Sequence, residues 1–231
     1  MTDSLDIDAL TFDILGTMVD EPGGIRRGVR TCLPETADSR TTELVTLWHE
    51  HVDAQQREIV EGRRAWASST EIDLEAATRV AHAAGVDDLE AIESLASSAQ
   101  KLDPWPDSVA GLGRLAERFP VMGLSNASRS ALTRINAYAG LRWHAALSAE
   151  EARSYKPHPD VYGLAIANAG SPPERLLMVA AHAWDLRGAQ AAGMRTAYVA
   201  RPIGDPPTGT DSFDLSVGSL DELADALSAA R

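Results

Sequence analysis

Asp13 is a carboxylate at the end of a short apolar run, residues 9–12, and it opens the loop Asp13-Ile14-Leu15-Gly16-Thr17. In an open α/β sheet, ligands bind in the crevice beyond the carboxyl ends of the strands, so an acid in this position is a candidate nucleophile. Many enzymes with such a loop carry a second acid two residues later, where this chain has Leu15. The loop therefore favours a chemistry that does not need the second acid.

Three later segments place polar side chains where apolar runs end. Ser125 and Asn126 stand just before a predicted helix, whose N-terminal N–H groups favour an anion, although both residue types are also common caps. Lys156 lies in a loop that two following prolines keep extended, and Asp185 follows another apolar run. Taken singly, the lysine is most simply solvated and Asp185 a helix cap. An acid, a hydroxyl and amide pair, a lysine and a second acid, all on strand-end loops, together indicate one buried site.

The elements that must position these residues alternate between strand and helix patterns, which predicts parallel βαβ units. Short apolar runs predict strands at residues 9–13, 121–125, 176–180, 196–200 and 213–217. Helices are predicted at 108–119, 129–139, 160–169 and 185–192, with Gly140, Gly170 and Gly193 as C-caps, followed by a last amphipathic helix. We therefore expect an α/β fold, with a doubly wound, mostly parallel sheet as its Rossmann-like core.

Residues 22–102 differ from the rest, because they contain helical patterns and no convincing strand. Helices are predicted at 43–59 and 74–84, and Trp48 is most simply a packing residue. Gly23-Gly24 and residues 101–107 are the expected outgoing and return hinges. These patterns predict a helical cap of residues 22–102 inserted into an α/β core of residues 1–21 and 103–231.

The composition restricts partners and location. With 34 acidic and 21 basic residues the formal net charge is −13, which disfavours nucleic acid and anionic membranes as partners. An anionic substrate must therefore be bound by local donors. Cys32 is the one cysteine, and neither a signal-peptide pattern nor a membrane-spanning apolar run is present, so a cytoplasmic location is expected. The six histidines lack zinc-site spacing, and we expect no metal or other cofactor.

The order and spacing of the four polar segments resemble the haloacid dehalogenase superfamily, and within it the L-2-haloacid dehalogenase (type II) family. The resemblance covers nearly the whole chain, including the cap inserted after the first segment. It rests on Phe-Asp-x-x-Gly-Thr without a second acid, Ser125-Asn126, Tyr155-Lys156-Pro157 with Val161-Tyr162, and Ala183-Trp184-Asp185. It implies hydrolysis of a short 2-haloalkanoate to the 2-hydroxy acid and halide.

The resemblance also implies a mechanism, in which Asp13 displaces the halide and forms an aspartyl ester that water hydrolyses. A halide is a weak base that needs no proton, so neither a general acid nor a metal is required. Phosphatases of the superfamily carry acids where this chain has Leu15 and, by register, Ala181. Lys156 would favour the charged carboxylate of Asp13. The resemblance also implies that Thr17 orients Asp13, and that Asp185 and Tyr162 support Lys156 and Asp13. Ser125 would bind the substrate carboxylate and Asn126 the halide. Leu15 and Trp184 would form the apolar wall of the pocket.

His49 is the first departure from the family pattern. It stands where the family has an arginine that binds the substrate carboxylate and the leaving halide. The site then lacks a donor unless His49 is protonated or is helped by Arg57, Arg63 or Arg64. This change predicts either a shifted substrate preference or the loss of ordinary dehalogenase activity.

His182 is the second departure, because it replaces an asparagine that lies near the nucleophile in the family. Imidazole titrates near working pH, so we predict that His182 is the general base that activates the hydrolytic water. Such a base usually needs an orienting acid, for which Glu21 is the first candidate and Asp20 the second. The alternative is that His182 only packs and Glu21 lies in a solvated turn.

The leading hypothesis is therefore a cofactor-free hydrolase acting on a small anionic haloacid. One alternative is a phosphate-ester hydrolase, against which Leu15 and Ala181 argue. Another is a binding or vestigial protein without dehalogenase activity, which His49 motivates. The predicted helix at 43–59 could also supply the face of a homodimer.

Overall fold

The computed structural model describes residues 5–34 and 36–229, and this part of the chain contains a six-stranded parallel sheet. Its strands are β1 Ala9–Phe12, β2 Val121–Ser125, β3 Ala145–Ser148, β4 Leu176–Ala180, β5 Arg195–Val199 and β6 Leu215–Val217, in the order β3-β2-β1-β4-β5-β6. All neighbouring pairs are parallel. Because β1 lies between β2 and β4, the strand order reverses at β1, where a ligand crevice is expected. The predicted doubly wound α/β sheet is confirmed.

Helices cover both faces of this sheet. They are α1 Glu21–Cys32, α2 Asp38–Val60, α3 Ser69–Ala83, α4 Leu89–Ser97, α5 Ser108–Ala116, α6 Arg129–Ala139, α7 Pro159–Ala169, α8 Ala183–Ala191 and α9 Leu220–Ala229. Successive strand residues point to opposite faces. Leu177 and Val179 of β4 therefore pack with α5, α6 and α9, whereas Met178 and Ala180 pack with α7 and α8. This double burial explains why the strands read as continuous apolar runs.

The predicted elements agree with the structure apart from a few boundaries, but strand β3 and helices α1 and α4 were not predicted. Gly140 and Gly170 are left-handed C-caps, as predicted, with φ angles of 71° and 64°. Strand β3 was not predicted, because it has four residues, begins with two alanines and is buried only at Leu147 and Ser148. Alanine has a low preference for strands, so this segment has no strand signal of its own.

Helices α1 to α4 occupy the interval that was predicted to form the cap, and no strand falls there among the described residues. The prediction of a hinge at Gly23-Gly24 is wrong, because both residues lie in the first turn of α1. Asp20 caps this helix by accepting a hydrogen bond from the Gly23 N–H at 2.9 Å. A side chain on Gly24 would collide with Leu102, so the glycine permits close packing rather than bending. The division into core and cap stays a prediction, and the ends of its core segments, residues 1–4 and 230–231, lie outside the described residues.

Helix α2 packs its apolar side chains inside the chain. Leu44, Val45 and Trp48 lie in a cluster with residues of α1, α3 and α4, so the apolar stripe that suggested a dimer face is covered within the chain. Among the described residues, no helix has both the length and the apolar character needed to cross a membrane.

Replacement of Trp48 by alanine tests the packing of this cluster. Trp48 is 1% exposed, so Trp48→Ala should lower the free energy of unfolding by about 3–5 kcal/mol, as measured by urea unfolding. Leu89 is 74% exposed, and Leu89→Ala should change the same quantity by no more than about 0.5 kcal/mol. Equal effects of the two substitutions would contradict the packing role of Trp48.

Candidate active site

The loop after β1 holds Asp13 at the carboxyl end of the central strand. The Asp13 N–H continues the sheet by donating to the Val179 carbonyl at 3.0 Å, and the residue is 6% exposed. Thr17 Oγ1 donates to Asp13 Oδ2 at 2.6 Å and accepts from the Ala181 N–H at 2.9 Å. Gly16 makes the turn with a φ of +78°, and a Cβ there would lie 2.5 Å from His182 Nε2. The turn thus needs glycine for its backbone conformation and for space.

Lys156 is buried between two carboxylates. Its Nζ donates to Asp13 Oδ1 at 2.9 Å and to Asp185 Oδ2 at 2.7 Å, and the side chain is 1% exposed. The Tyr162 hydroxyl donates to Asp185 Oδ1 at 2.8 Å. Burial alone would lower the pKa of Lys156, but the charges of Asp13 and Asp185 outweigh it and raise that pKa. Burial raises the pKa of Asp185 while Lys156 opposes the shift. Lys156 is therefore an ammonium ion at neutral pH.

Asn126 connects this charged group to the helices between β1 and β2. Its Oδ1 accepts from the Lys156 N–H at 2.9 Å, and its Nδ2 donates to Gln56 Oε1 of α2 at 2.8 Å. Ser125 is fully buried, and its hydroxyl oxygen accepts from the Ala127 N–H at 3.1 Å. The side chain of Asn126 thus positions the backbone of the lysine loop, a role that the sequence did not suggest.

A cavity of about 270 Å³ opens onto Asp13. The structure brings eight of the predicted site residues into its wall: Asp13, Leu15, Glu21, His49, Asn126, Lys156, His182 and Trp184. The other four lie outside the wall: Thr17, Ser125, Tyr162 and Asp185. Thr17, Tyr162 and Asp185 form hydrogen bonds with other predicted site residues, whereas the Ser125 hydroxyl accepts from the Ala127 N–H. The cavity therefore has a wall that can touch a ligand and a supporting layer behind it.

Sequence reasoning missed several residues of the wall. Val52, Asp53 and Gln56 follow His49 at helical spacing on α2, so the stripe at positions 49, 52, 53 and 56 was a usable signal. Residues 203–205 form another part of the wall and had no such signal. Asp205 is held there because it accepts hydrogen bonds from the N–H groups of Ala183 and Trp184 at the start of α8, at 2.8 and 3.0 Å.

His49 occupies the place of the expected arginine and keeps one nitrogen free. Its Nδ1 lies 2.8 Å from the Val45 carbonyl, which can only accept, and its Nε2 is buried without a hydrogen-bond partner among the described residues. Arg63 is bound to Glu58 and Glu61, and Arg64 to Gln55 and Glu75, so neither assists His49. Arg57 lines an adjoining cavity of about 400 Å³ that shares Gln56, Lys156 and Trp184 with the first.

His182 lies beside Asp13. Its Nε2 is 3.9 Å from Asp13 Oδ2 and 3.2 Å from the Leu15 carbonyl, and its ring stacks on Trp184. Because a carbonyl only accepts, the contact with Leu15 requires a proton on Nε2. The hydrogen bond to Leu15 therefore places a proton on the ring nitrogen nearer Asp13.

Glu21 is the first residue of α1 and lines the same cavity. Burial raises the pKa of its carboxyl group; His49 and His182 oppose the shift, and Asp53 and Asp13 add to it. Among the described residues, no hydrogen bond joins Glu21 to His182. Asp20, the second candidate for the orienting acid, caps α1 and lies outside the wall of the cavity.

Two residues of the cavity wall have backbone N–H groups without a hydrogen-bond partner among the described residues. Leu15 and Asn126 both line the cavity, and in the described part of the chain their N–H groups donate to no protein acceptor. Paired free N–H groups at the ends of neighbouring strands can bind an anion. The described residues contain no group of three or more His, Cys, Asp or Glu side chains arranged to hold a metal ion.

Residues 7–193 match the model of the haloacid dehalogenase-like hydrolases, so the chain belongs to that family. Among its relatives, the (S)-2-haloacid dehalogenase of Xanthobacter autotrophicus is 30% identical over 84% of this chain and 76% of that protein. The (S)-2-haloacid dehalogenase H-109 of Pseudomonas putida is 29% identical over 84% of this chain and 86% of that protein. A solved L-2-haloacid dehalogenase structure has a TM-score of 0.88 and 27% identity, covering 96% of this chain and 99% of its own. A defluorinating L-2-haloacid dehalogenase has a TM-score of 0.87 and 29% identity, covering 96% and 95%. The resemblance drawn from the four segments is confirmed.

Substitution of Glu21 by glutamine tests the cost of burying its charge. Because the pKa of Glu21 is raised in the folded protein, wild type loses stability as pH rises above the ordinary value near 4.5. Glu21→Gln has no such loss. Its free energy of unfolding, measured with urea, should match wild type near pH 4 and exceed it increasingly towards pH 7.

Glu71→Gln is the matched control of opposite sign. Hydrogen bonds from the backbone and side chain of Ser68 lower the pKa of Glu71, so this group stabilises the fold above its ordinary pKa. Glu71→Gln should therefore be less stable than wild type at pH 7, by an amount that shrinks as pH falls. If the stability of Glu21→Gln changed with pH in the same direction as that of Glu71→Gln, burial would not be the main influence on the pKa of Glu21.

Proposed function

We propose that the protein hydrolyses a short (S)-2-haloalkanoate to the 2-hydroxy acid and halide, with Asp13 as the nucleophile. The observation that carries this proposal is a carboxylate that faces a small cavity, is held by Lys156 and Thr17, and has Leu15 where a leaving-group acid would otherwise stand. The names of the relatives support the (S) substrate and the halogen.

In the first step, a carboxylate oxygen of Asp13 attacks the carbon that carries the halogen. The new carbon–oxygen bond forms as the carbon–halogen bond breaks, and the halide leaves with the bonding electrons. Lys156 favours the charged, nucleophilic form of Asp13, while Thr17 fixes its orientation. Attack opposite to the halogen inverts the carbon, so (S)-2-chloropropanoate gives (R)-lactate.

In the second step, water attacks the carboxyl carbon of the Asp13 ester. The tetrahedral intermediate then breaks its bond to the oxygen that is attached to the substrate carbon. That oxygen takes up one of the two protons of the attacking water and the other proton is released to solvent, so Asp13 is restored as a carboxylate and the 2-hydroxy acid is released. Lys156 and Thr17 both donate to Asp13 oxygens in the free protein and are placed to stabilise the negative charge of the intermediate. The oxygen that leaves with the product in the first turnover therefore comes from Asp13.

The substrate carboxylate binds, in this proposal, to the free N–H groups of Leu15 and Asn126, assisted by His49 Nε2. Val52 and the rings of Trp184 and His182 would enclose the halogen and the alkyl group. Phosphate-ester hydrolysis has less support, because Leu15 offers no proton to an alkoxide leaving group.

His182 is proposed as the base for the second step. Its Nε2 lies 3.9 Å from Asp13 Oδ2, close enough for a water molecule at the ester to reach both groups. The ring must first give up its hydrogen bond to Leu15 so that Nε2 can accept a proton. A proton on Nδ1 would accompany that change, and we propose Glu21 as the carboxylate that stabilises it.

A single turnover of (S)-2-chloropropanoate in heavy-oxygen water tests the role of Asp13. With enzyme in excess, the label should enter the peptide that contains Asp13, and the lactate hydroxyl should contain ordinary oxygen. Mass spectrometry of the peptide and the product measures both. Label in the lactate and none in Asp13 would refute the ester mechanism, and absence of halide release would refute the proposed function.

His182→Ala tests the proposed base. Formation of the Asp13 ester should proceed within a fewfold of the wild-type rate, whereas its hydrolysis should slow by about 100-fold or more, so the ester accumulates. The mass of the intact protein, followed over time, measures both rates. His82 lies on α3 and pairs with Asp87, and His82→Ala should leave both rates unchanged. Unslowed ester hydrolysis in His182→Ala would eliminate the base role.

A further inference from the structure

The nucleophile loop is also held by three side chains that lie outside the cavity wall. Its three consecutive carbonyl groups, at positions 16 to 18, each accept a hydrogen bond from a side chain distant in sequence. The donors are Trp105 Nε1 at 3.0 Å from the Gly16 oxygen, Arg201 Nε at 2.8 Å from the Thr17 oxygen, and Ser108 Oγ at 2.7 Å from the Met18 oxygen. The loop is thus fixed by groups that do not touch the cavity.

Arg201 is the charged member of this set, and it is itself firmly anchored. Its Nη1 donates to Asp107 Oδ1 at 2.8 Å, and Asp107 Oδ2 accepts from the Leu220 N–H at the start of α9 at 2.8 Å. The Arg201 side chain is 6% exposed. Burial lowers its pKa, with Asp107 opposing, and Nη2 is buried without a partner in the described part of the chain. A buried ion pair of this kind often stabilises a fold no better than apolar side chains of similar volume.

The position of the Thr17 backbone decides where its hydroxyl meets Asp13. The Thr17 side chain donates to Asp13 Oδ2 at 2.6 Å, and the carbonyl of the same residue accepts from Arg201. The position of the Arg201 guanidinium therefore affects the position of Asp13 through Thr17, which contacts both groups. Displacement of a reacting group by about 1 Å can reduce a rate about 100-fold.

Arg201 also lies two residues before a segment that lines the cavity. Residues 203–205 line the cavity, and Asp205 accepts hydrogen bonds from the first N–H groups of α8. Arg201 therefore binds the nucleophile loop through its side chain and is joined through the backbone to another part of the cavity wall. We propose that Arg201 is a positioning residue that sets the place of Thr17, and through it of Asp13, in the reaction.

The test compares Arg201→Met with Arg201→Lys, and it rests on the proposed function for its kinetic part. Formation of the Asp13 ester from (S)-2-chloropropanoate is measured per folded molecule under single-turnover conditions, and kcat and KM are measured separately. Arg201→Met should slow ester formation about 10- to 100-fold with KM within about twofold of wild type. Arg201→Lys keeps a charge and a donor and should recover part of the rate.

Arg175→Met is the matched control. Arg175 also binds two carboxylates, Asp6 and Asp8, and has an unpartnered buried nitrogen, but it precedes β4 at the end of the sheet away from the site. Its substitution should leave kcat unchanged even where urea unfolding shows lower stability. Equal rates per folded molecule in Arg201→Met and Arg175→Met would overturn the proposal.

Hydrogen exchange provides a readout that does not depend on the reaction. The N–H groups of Gly16, Met18 and Val19 are bonded within the loop, so their exchange reports how firmly it is held. Exchange in the peptide containing them should be at least about 10-fold faster in Arg201→Met than in Arg175→Met. If wild type forms no ester, the proposed function fails, and unchanged exchange in Arg201→Met would still refute the positioning role.

Discussion

The burial of the Lys156 ammonium between Asp13 and Asp185 is the interaction on which the rest of the site depends. An ammonium that is 1% exposed cannot stay charged without close anionic partners, and two buried acids cannot both ionise without it. Asp13 and Lys156 lie in the loops after β1 and β3, and Asp185 lies in the first turn of α8, which follows β4, so the charge is satisfied only when the parallel sheet has formed around β1. The charged centre and the strand order therefore require each other.

The net negative charge of the chain opposes the binding of an anionic substrate in the cavity. A protein with a net charge of −13 is proposed to bind a carboxylate beside Asp13, Glu21 and Asp53. Burial raises the pKa of both Glu21 and Asp53 and so shifts each acid toward its neutral form. A neutral carboxyl group does not repel a bound anion as an exposed carboxylate would. The free N–H groups of Leu15 and Asn126 add positive potential without adding a charged side chain. In this way a site without the expected arginine keeps donors for an anionic substrate.

Precision at Asp13 comes from contacts on both sides of its loop. Thr17 and Lys156 hold the carboxylate, while Trp105, Arg201 and Ser108 hold the backbone carbonyls behind it. Trp105 lies just before α5 and Ser108 is the first residue of that helix, so the segment that leads into α5 also supports the Asp13 loop. The loop is short and contains a glycine, and without these contacts its conformational freedom would oppose a fixed attack geometry.

The sequence by itself determined the α/β class, the grouping of Asp13 with Lys156 and Asp185, and the family, because local periodicity, C-cap glycines and motif order carry that information. Only the tertiary structure decided that Gly23 and Gly24 lie inside a helix and that β3 forms the edge strand beside β2. It alone also decided that His182 donates to the Leu15 carbonyl and that residues 203–205 line the cavity. Arg201 and Thr17 are 184 positions apart, and Trp105 and Gly16 are 89 apart. Such contacts depend on which strands become neighbours in the sheet and on how the side chains next to those strands pack against one another. No local sequence pattern contains that information.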